Sequence, residues 1–270
     1  MQTLGIDLGS SSIKIAVYDA AQEKTLVRTF FPENELSMEV PFPDWAEQKP
    51  DVWWHSLKGA LHKIKHQIVL KNIQAIGISY QMHGLVAVDK NLTPVRPAII
   101  WCDSRAVKIG ERAFDDLKNQ DYLAHHLNAP GNFTASKLAW VKENEPETYA
   151  RIWKFMLPGD YLALKLSGRP TTTEAGLSEG ALWDFKNKMI STQLMDYYGF
   201  SETLIPDIVP SVGVQCHVSQ WAAEELDLTP DIPITYRAGD QPNNALSLNV
   251  LEPGELATTA GTSAVIYGVT

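Results

Sequence analysis

Asp7, Gly9, Ser10, Ser11 and Lys14 fall within one short stretch, Ile6-Asp7-Leu8-Gly9-Ser10-Ser11-Ser12-Ile13-Lys14, and a related stretch, Thr259-Ala260-Gly261-Thr262-Ser263-Ala264-Val265, stands near the other end of the chain. In each, an apolar run of strand length meets a Gly-Ser/Thr-Ser bend and leaves in a second apolar run, Ile13 to Tyr18 and Val265 to Val269. Glycine lets a ligand approach the backbone, the N–H and hydroxyl groups after it can point at phosphate oxygens, and the Asp7 carboxylate can hold a metal ion. The pattern predicts two phosphate-handling hairpins suited to ATP with Mg2+. A Gly-Ser bend taken alone is more often a plain hairpin turn with no ligand. What favours a ligand is the pairing, which suggests two related domains facing each other across a cleft.

Two further groups could meet such a ligand. Gln81-Met82-His83-Gly84 lies between apolar runs and reads as a surface loop. Its amide and imidazole can hydrogen-bond vicinal hydroxyls, and Met82 can cover an apolar face; an ordinary polar loop is the alternative. Trp101, Asp103 and Arg105 form a compact trio in which the ring could stack on a ligand and Asp103 could either touch it or hold Arg105. Asp240 follows an apolar run, on an expected strand-to-helix loop, and would ordinarily be read as a helix cap. Asp160, after Pro158-Gly159, is also read as a cap.

The elements that must position these groups alternate between strand and helix. Thr3 to Asp19 reads as a hairpin, with a third strand over Thr25 to Phe31. Trp54, Leu57, Leu61, Ile64 and Ile68 recur at helical spacing after Pro50, predicting an amphipathic helix over Asp51 to Leu70. Strands are expected at Ile73 to Ser79, Leu85 to Val88, Ala98 to Trp101 and Ile232 to Tyr236. Helices are expected at Ala106 to Leu117, Ala135 to Glu143, Asp160 to Leu166, Thr192 to Tyr198 and after Pro242. Residues 171–217 are turn-rich and give no clear order beyond the Thr192 helix.

The ordered set of Gly5 to Lys14, Asp44-Trp45-Ala46-Glu47-Gln48, Gln81-Met82-His83-Gly84, Trp101-Cys102-Asp103-Ser104-Arg105, Phe133 to Leu138, Leu157 to Leu162, Gly239-Asp240-Gln241 and Glu252-Pro253-Gly254-Glu255 before Gly261-Thr262-Ser263 resembles the FGGY carbohydrate kinases of the actin-like ATPase superfamily. The Gln-Met-His-Gly loop is most similar to the xylulokinase branch. The resemblance implies an α/β, ribonuclease H-like fold with a mixed sheet flanked by helices, in which residues 1–238 are the sugar-binding N-terminal domain and 239–270 the start of a nucleotide-binding domain. It further implies Asp240 as catalytic base. Gln81, Met82, His83, Gly84, Trp101, Asp103 and Gln241 would be sugar contacts. Gly9, Ser10, Ser11, Lys14, Gly261, Thr262 and Ser263 would be ATP contacts, and Asp7 the Mg2+ ligand. The implied reaction is phosphorylation of a ketopentose, D-xylulose first. Other readings are an FGGY kinase for another ketose, a polyol or an aldonate, a non-metabolic actin-like ATPase module, or a silent sugar-binding protein.

Composition sets wider bounds. Acidic residues outnumber basic ones by 32 to 23, and the net charge of −9 argues against nucleic acid or an anionic membrane as partner. The 2 cysteines are too few for a disulfide framework and read as reduced thiols. The opening is strand-like without a leader pattern, so the cytoplasm, where ATP is available, is the expected compartment. Family members continue beyond the second hairpin, so the chain reads as a fragment that does not turn over ATP by itself. Its last hairpin, lacking a neighbouring strand, is expected to pair with a second copy in a homodimer or to pack on the first domain.

Overall fold

The computed structural model describes residues 1–260 and 264–269. Its centre is a six-stranded sheet. In chain order the strands are β1 (Gln2–Leu8), β2 (Ile13–Asp19), β3 (Lys24–Phe31), β4 (Ile73–Tyr80), β5 (Val212–His217) and β6 (Pro233–Gly239). They lie in the order β5-β6-β4-β1-β2-β3. β1, β4 and β6 run parallel, while β2 is antiparallel to β1 and β3, and β5 to β6. This mixed sheet flanked by helices is the architecture that the resemblance implies.

Alternation decides which face is covered. Leu4, Ile6 and Leu8 on β1 and Ile13, Ile15 and Val17 on β2 are buried and join one core with helix α1 (Pro50–Ile64), whose Trp53, Leu57, Leu61 and Ile64 form its apolar stripe. Pro50 occupies the start of α1 as expected, but the helix ends at Ile64 rather than Leu70. Beyond it the β-branched Ile68 and Val69 lead into a short 3-10 turn, Leu70–Asn72, that feeds β4. A second core gathers Leu85, Ile99, Leu138, Phe155, Leu177 and Leu194 around helix α2 (Thr134–Asn144).

Residues 171–217, unordered by sequence, contain helix α3 (Glu174–Glu179), a short pairing of Thr171–Thr173 with Asp207–Val209, and the expected helix at Thr192–Tyr198. Asp160 accepts a bond from the Leu157 N–H at 3.2 Å, as a cap, and also pairs with buried Arg237 at 3.0 Å. Helix α4 (Asp240–Ser247) corrects one expectation, because it starts at Asp240 and not after Pro242. Pro242 sits in its first turn, where a missing N–H breaks no intrahelical bond. Strands β7 (Leu256–Ala260) and β8 (Ala264–Gly268) form a separate antiparallel pair flanking the second Gly-Thr-Ser stretch. No helix among the described residues is long and apolar enough to cross a membrane.

Candidate active site

Register brings the reactive candidates together. Leu8 on β1 and Gly239 on β6 are both register partners of Tyr80 on β4, so three parallel strands end level. The next residues are Gly9, Gln81 and Asp240. A row of strand carboxyl ends is where parallel α/β sheets present ligand-binding groups. The Gln81 N–H donates to the Leu8 carbonyl at 2.7 Å, extending the alignment by one residue.

Asp240 opens α4 directly after β6, and Gly239 is the N-cap without a side-chain cap bond, so Asp240 is not the capping residue. Burial raises its carboxyl above the ordinary aspartate value, the Asp7 charge raises it further, and the Gln241 backbone N–H opposes the shift. Asp7 faces Lys14 across the β1–β2 pair, with Nζ to Oδ2 at 3.1 Å. Mg2+ takes oxygen donors and typically uses one or two protein carboxylates beside waters and phosphate. Asp7, partly exposed, and Asp240, close enough to feel its charge, are donors of that kind; no group of three or more His, Cys, Asp or Glu among the described residues is arranged to hold a metal ion.

The first bend is closed by the Gly9 N–H donating to the Ser12 carbonyl at 3.1 Å, and the Ser11 carbonyl accepts from the Leu36 N–H at 2.8 Å. Gly261, Thr262 and Ser263 lie outside the described residues. Gln48 ties this bend to the loop after β4. Its Nε2 donates to the Ser10 carbonyl at 2.7 Å, while its Oε1 accepts from Gln81 Nε2 at 3.2 Å and Trp53 Nε1 at 3.1 Å.

Within the loop, Gln81 Oε1 and His83 Nδ1 are buried and have no hydrogen-bond partner among the described residues. Met82 lies against Gly239. His83 adopts a left-handed backbone with φ 60° and packs its ring on Phe133, centroids 4.3 Å apart. Burial, then the Lys137 charge, lowers its imidazole to a pKa of about 4. Gly84 offers its carbonyl to the Thr134 hydroxyl at 3.1 Å.

Trp101 is exposed, with Nε1 3.4 Å from Ser10 Oγ. Asp103 is fully buried. Its Oδ1 accepts from the Arg105 N–H at 3.0 Å and Nε at 2.9 Å, and its Oδ2 accepts from the Ala46 N–H and from Arg105 Nη2, each at 2.6 Å. Of the two readings the sequence left open for this residue, the pairing with Arg105 is present. Arg105 also meets Glu47 at 2.7 Å and stacks its guanidinium 3.6 Å from the Trp45 ring centroid.

Three residues escaped the sequence reading. Gln48 and Lys137 sat inside recognised stretches without an assigned role, and Glu179 lay in the unordered region. Lys137 is wholly buried on α2 and its ammonium is lowered to about 7, burial being the main cause. Glu179 ends α3, and burial raises its carboxyl to about 8, opposed by bonds from the His83 N–H and the Tyr80 side chain.

Residues 2–247 match the family model for the N-terminal domain of the FGGY family of carbohydrate kinases. The chain is 32% identical over 265 residues to the xylulose kinase of Lactococcus lactis subsp. lactis (strain IL1403), covering 97% of itself and 52% of that protein. With the xylulose kinase of Escherichia coli (strain K12) it shares 28% identity over 267 residues, covering 98% of itself and 54% of that protein. It superposes on a crystal structure of a xyloylose kinase from Brucella ovis with a TM-score of 0.88 at 30% identity, over 98% of this chain and 54% of that one. The gluconate kinase from Lactobacillus acidophilus gives a TM-score of 0.89 at 20% identity over 98% and 53%, a likeness of fold alone. The chain spans about half the length of the curated relatives it matches.

Proposed function

The chain belongs to the FGGY family of carbohydrate kinases, and from that premise we propose that it supplies the sugar-binding part of an ATP-dependent kinase acting on a ketopentose, D-xylulose first. The observation that carries the reading is the level ending of β1, β4 and β6, which sets a phosphate-type bend, a loop with two unmet buried polar atoms and a carboxyl of raised pKa side by side. Buried polar atoms without partners favour a ligand rich in hydroxyls.

In this mechanism Gln81 Oε1 and His83 Nδ1 meet sugar hydroxyls, with Met82, Gly84, Trp101 and Gln241 around them. Asp103 acts from behind by fixing Arg105 and the Ala46 backbone. Asp240 accepts the proton of the attacking hydroxyl as its oxygen bonds to the γ-phosphorus and the bond to the departing ADP oxygen breaks. Gly9, Ser10, Ser11 and Lys14 hold phosphate from one side, and Gly261, Thr262 and Ser263 from the other. Asp7 would hold Mg2+, which when bound offsets phosphate charge. Residues 1–238 form the sugar domain in this reading and 239–270 begin its nucleotide-binding partner, with the cytoplasm as its compartment.

The test is ADP formation by the intact protein with D-xylulose, L-xylulose, D-ribulose, L-ribulose, gluconate and glycerol. The expected result is a kcat/KM for D-xylulose at least about tenfold above the others, the discrimination a few hydroxyl contacts supply. Preference for another sugar overturns the specificity, and sugar-independent hydrolysis or no hydrolysis overturns the kinase reading.

A further inference from the structure

His83 is held by its backbone as well as by its ring. Its N–H donates to Glu179 Oε1 at 2.7 Å, and its carbonyl accepts from Lys137 Nζ at 2.8 Å. The two grips come from separate helices, Glu179 at the end of α3 and Lys137 within α2. Taking a lysine and a glutamate out of water is unfavourable without compensation. Yet neither forms an ion pair among the described residues. Lys137 donates to the His83 carbonyl, and Glu179 accepts from the Tyr80 side chain as well as from the His83 N–H. Glu179 also reaches the other side of the site, because a β-carbon on Gly239 would stand 2.9 Å from its Oε2. The residue so gripped has φ 60°, a conformation that costs a β-carbon-bearing residue energy and persists only where its surroundings impose it.

We propose that Glu179 and Lys137 are positioning residues that clamp the His83 backbone from both sides, fix the Gln81–Gly84 loop against Gly239 and Asp240, and thereby set which sugar the site accepts. The inference rests on the reading of that loop as the sugar site. Glu179 acts as an acceptor in this clamp, so glutamine, whose side-chain carbonyl accepts equally, preserves it, and alanine does not.

The experiment pairs amide hydrogen exchange at His83, read by NMR without sugar, with calorimetric binding of D-xylulose and D-ribulose. Both are applied to the wild-type protein, Glu179→Gln, Glu179→Ala and Lys137→Met. Loss of one hydrogen bond to a charged or buried partner corresponds to about tenfold or more in the equilibrium it controls. Glu179→Ala is therefore expected to speed His83 exchange and weaken D-xylulose binding by at least about tenfold, narrowing the gap to D-ribulose, while Glu179→Gln stays within about threefold of wild type. Lys137→Met is expected to weaken binding similarly and decides the matter should Glu179→Ala not fold. Unchanged exchange and affinity in Glu179→Ala and Lys137→Met, or a Glu179→Gln as impaired as the alanine, overturns the clamp. If wild type binds neither sugar while exchange responds as expected, the sugar reading has failed, and with it the specificity role, although the backbone clamp stands.

Discussion

Met82 lies so close to Gly239 that a β-carbon on the glycine would stand 2.5 Å from Met82 Cγ and 2.8 Å from its Sδ. The loop after β4 and the residue that delivers Asp240 are thus in direct contact. Gly239 has φ −58° and ψ 155°, which alanine adopts without strain, so a substitution acts through this contact and through Glu179 Oε2, 2.9 Å from the same β-carbon. Gly239→Ala is expected to cost roughly 1–3 kcal/mol of stability by overpacking and to weaken sugar binding. Adding Met82→Ala should recover part of the stability loss, a coupling that a double-mutant cycle by denaturant unfolding measures.

Asp240 supplies a second prediction. Asp240→Asn removes the proton acceptor while keeping the shape, so kcat is expected to fall by roughly 10²–10⁴ with sugar affinity nearly unchanged. Equal losses in both would assign Asp240 to binding instead. Because Asp7 is one of the charges that raises the Asp240 pKa, Asp7→Asn should lower it. A carboxyl NMR titration of the two proteins checks the direction without requiring turnover.

Much of this site was legible from local pattern. Alternation in Leu4, Ile6, Leu8 and Ile13, Ile15, Val17 announces the β1–β2 hairpin and places Asp7 and Lys14 at its end, since a two-residue period needs only neighbours. Pro50 and the stripe through Trp54, Leu57, Leu61 and Ile64 likewise announce α1. Pro242 misled, because a helical proline is tolerated in a first turn that sequence alone cannot place. Glu179 was invisible for a different reason. Its bond to the His83 N–H spans 96 residues, and nothing in a surface-like glutamate signals burial. Lys137 runs against the rule that lysine stays in water, so a reading built on burial patterns passes over it.

Gln48 is the residue whose loss should loosen the site most broadly. It meets the Ser10 carbonyl, the Trp53 indole and the Gln81 amide at once. Gln48→Ala leaves those buried or half-buried groups unpaired, each worth about 1–3 kcal/mol when unsatisfied, and a total of about 2–4 kcal/mol is expected after partial relaxation. Urea unfolding measures it, and a change under about 0.5 kcal/mol, typical of an uninvolved surface position, would show that Gln48 does not organise the bend and the loop.

Glu179 makes stability depend on pH with a definite sign. Folded, its carboxyl keeps its proton up to about pH 8, whereas an ordinary glutamate gives it up near 4.5. Between those values the folded state binds more protons than the unfolded one, so this group's contribution is greatest at low pH and is lost as pH rises through the window. His83 works oppositely over an overlapping range, since its lowered imidazole pKa of about 4 makes stability rise from there toward 6.5. Lys137, lowered from 10.5 to about 7, makes stability rise again above that value. Subtracting wild type from Glu179→Gln cancels most of these other groups and isolates the glutamate. The permanently neutral variant should gain on wild type with rising pH from about 5 to 8, at up to about 1.4 kcal/mol per pH unit. Denaturant unfolding of the two proteins at pH 5, 6, 7 and 8 provides the comparison. A flat difference would mean that Glu179 ionises in the folded state at its ordinary value, and that the clamp on His83 is made by a carboxylate rather than by a neutral acid.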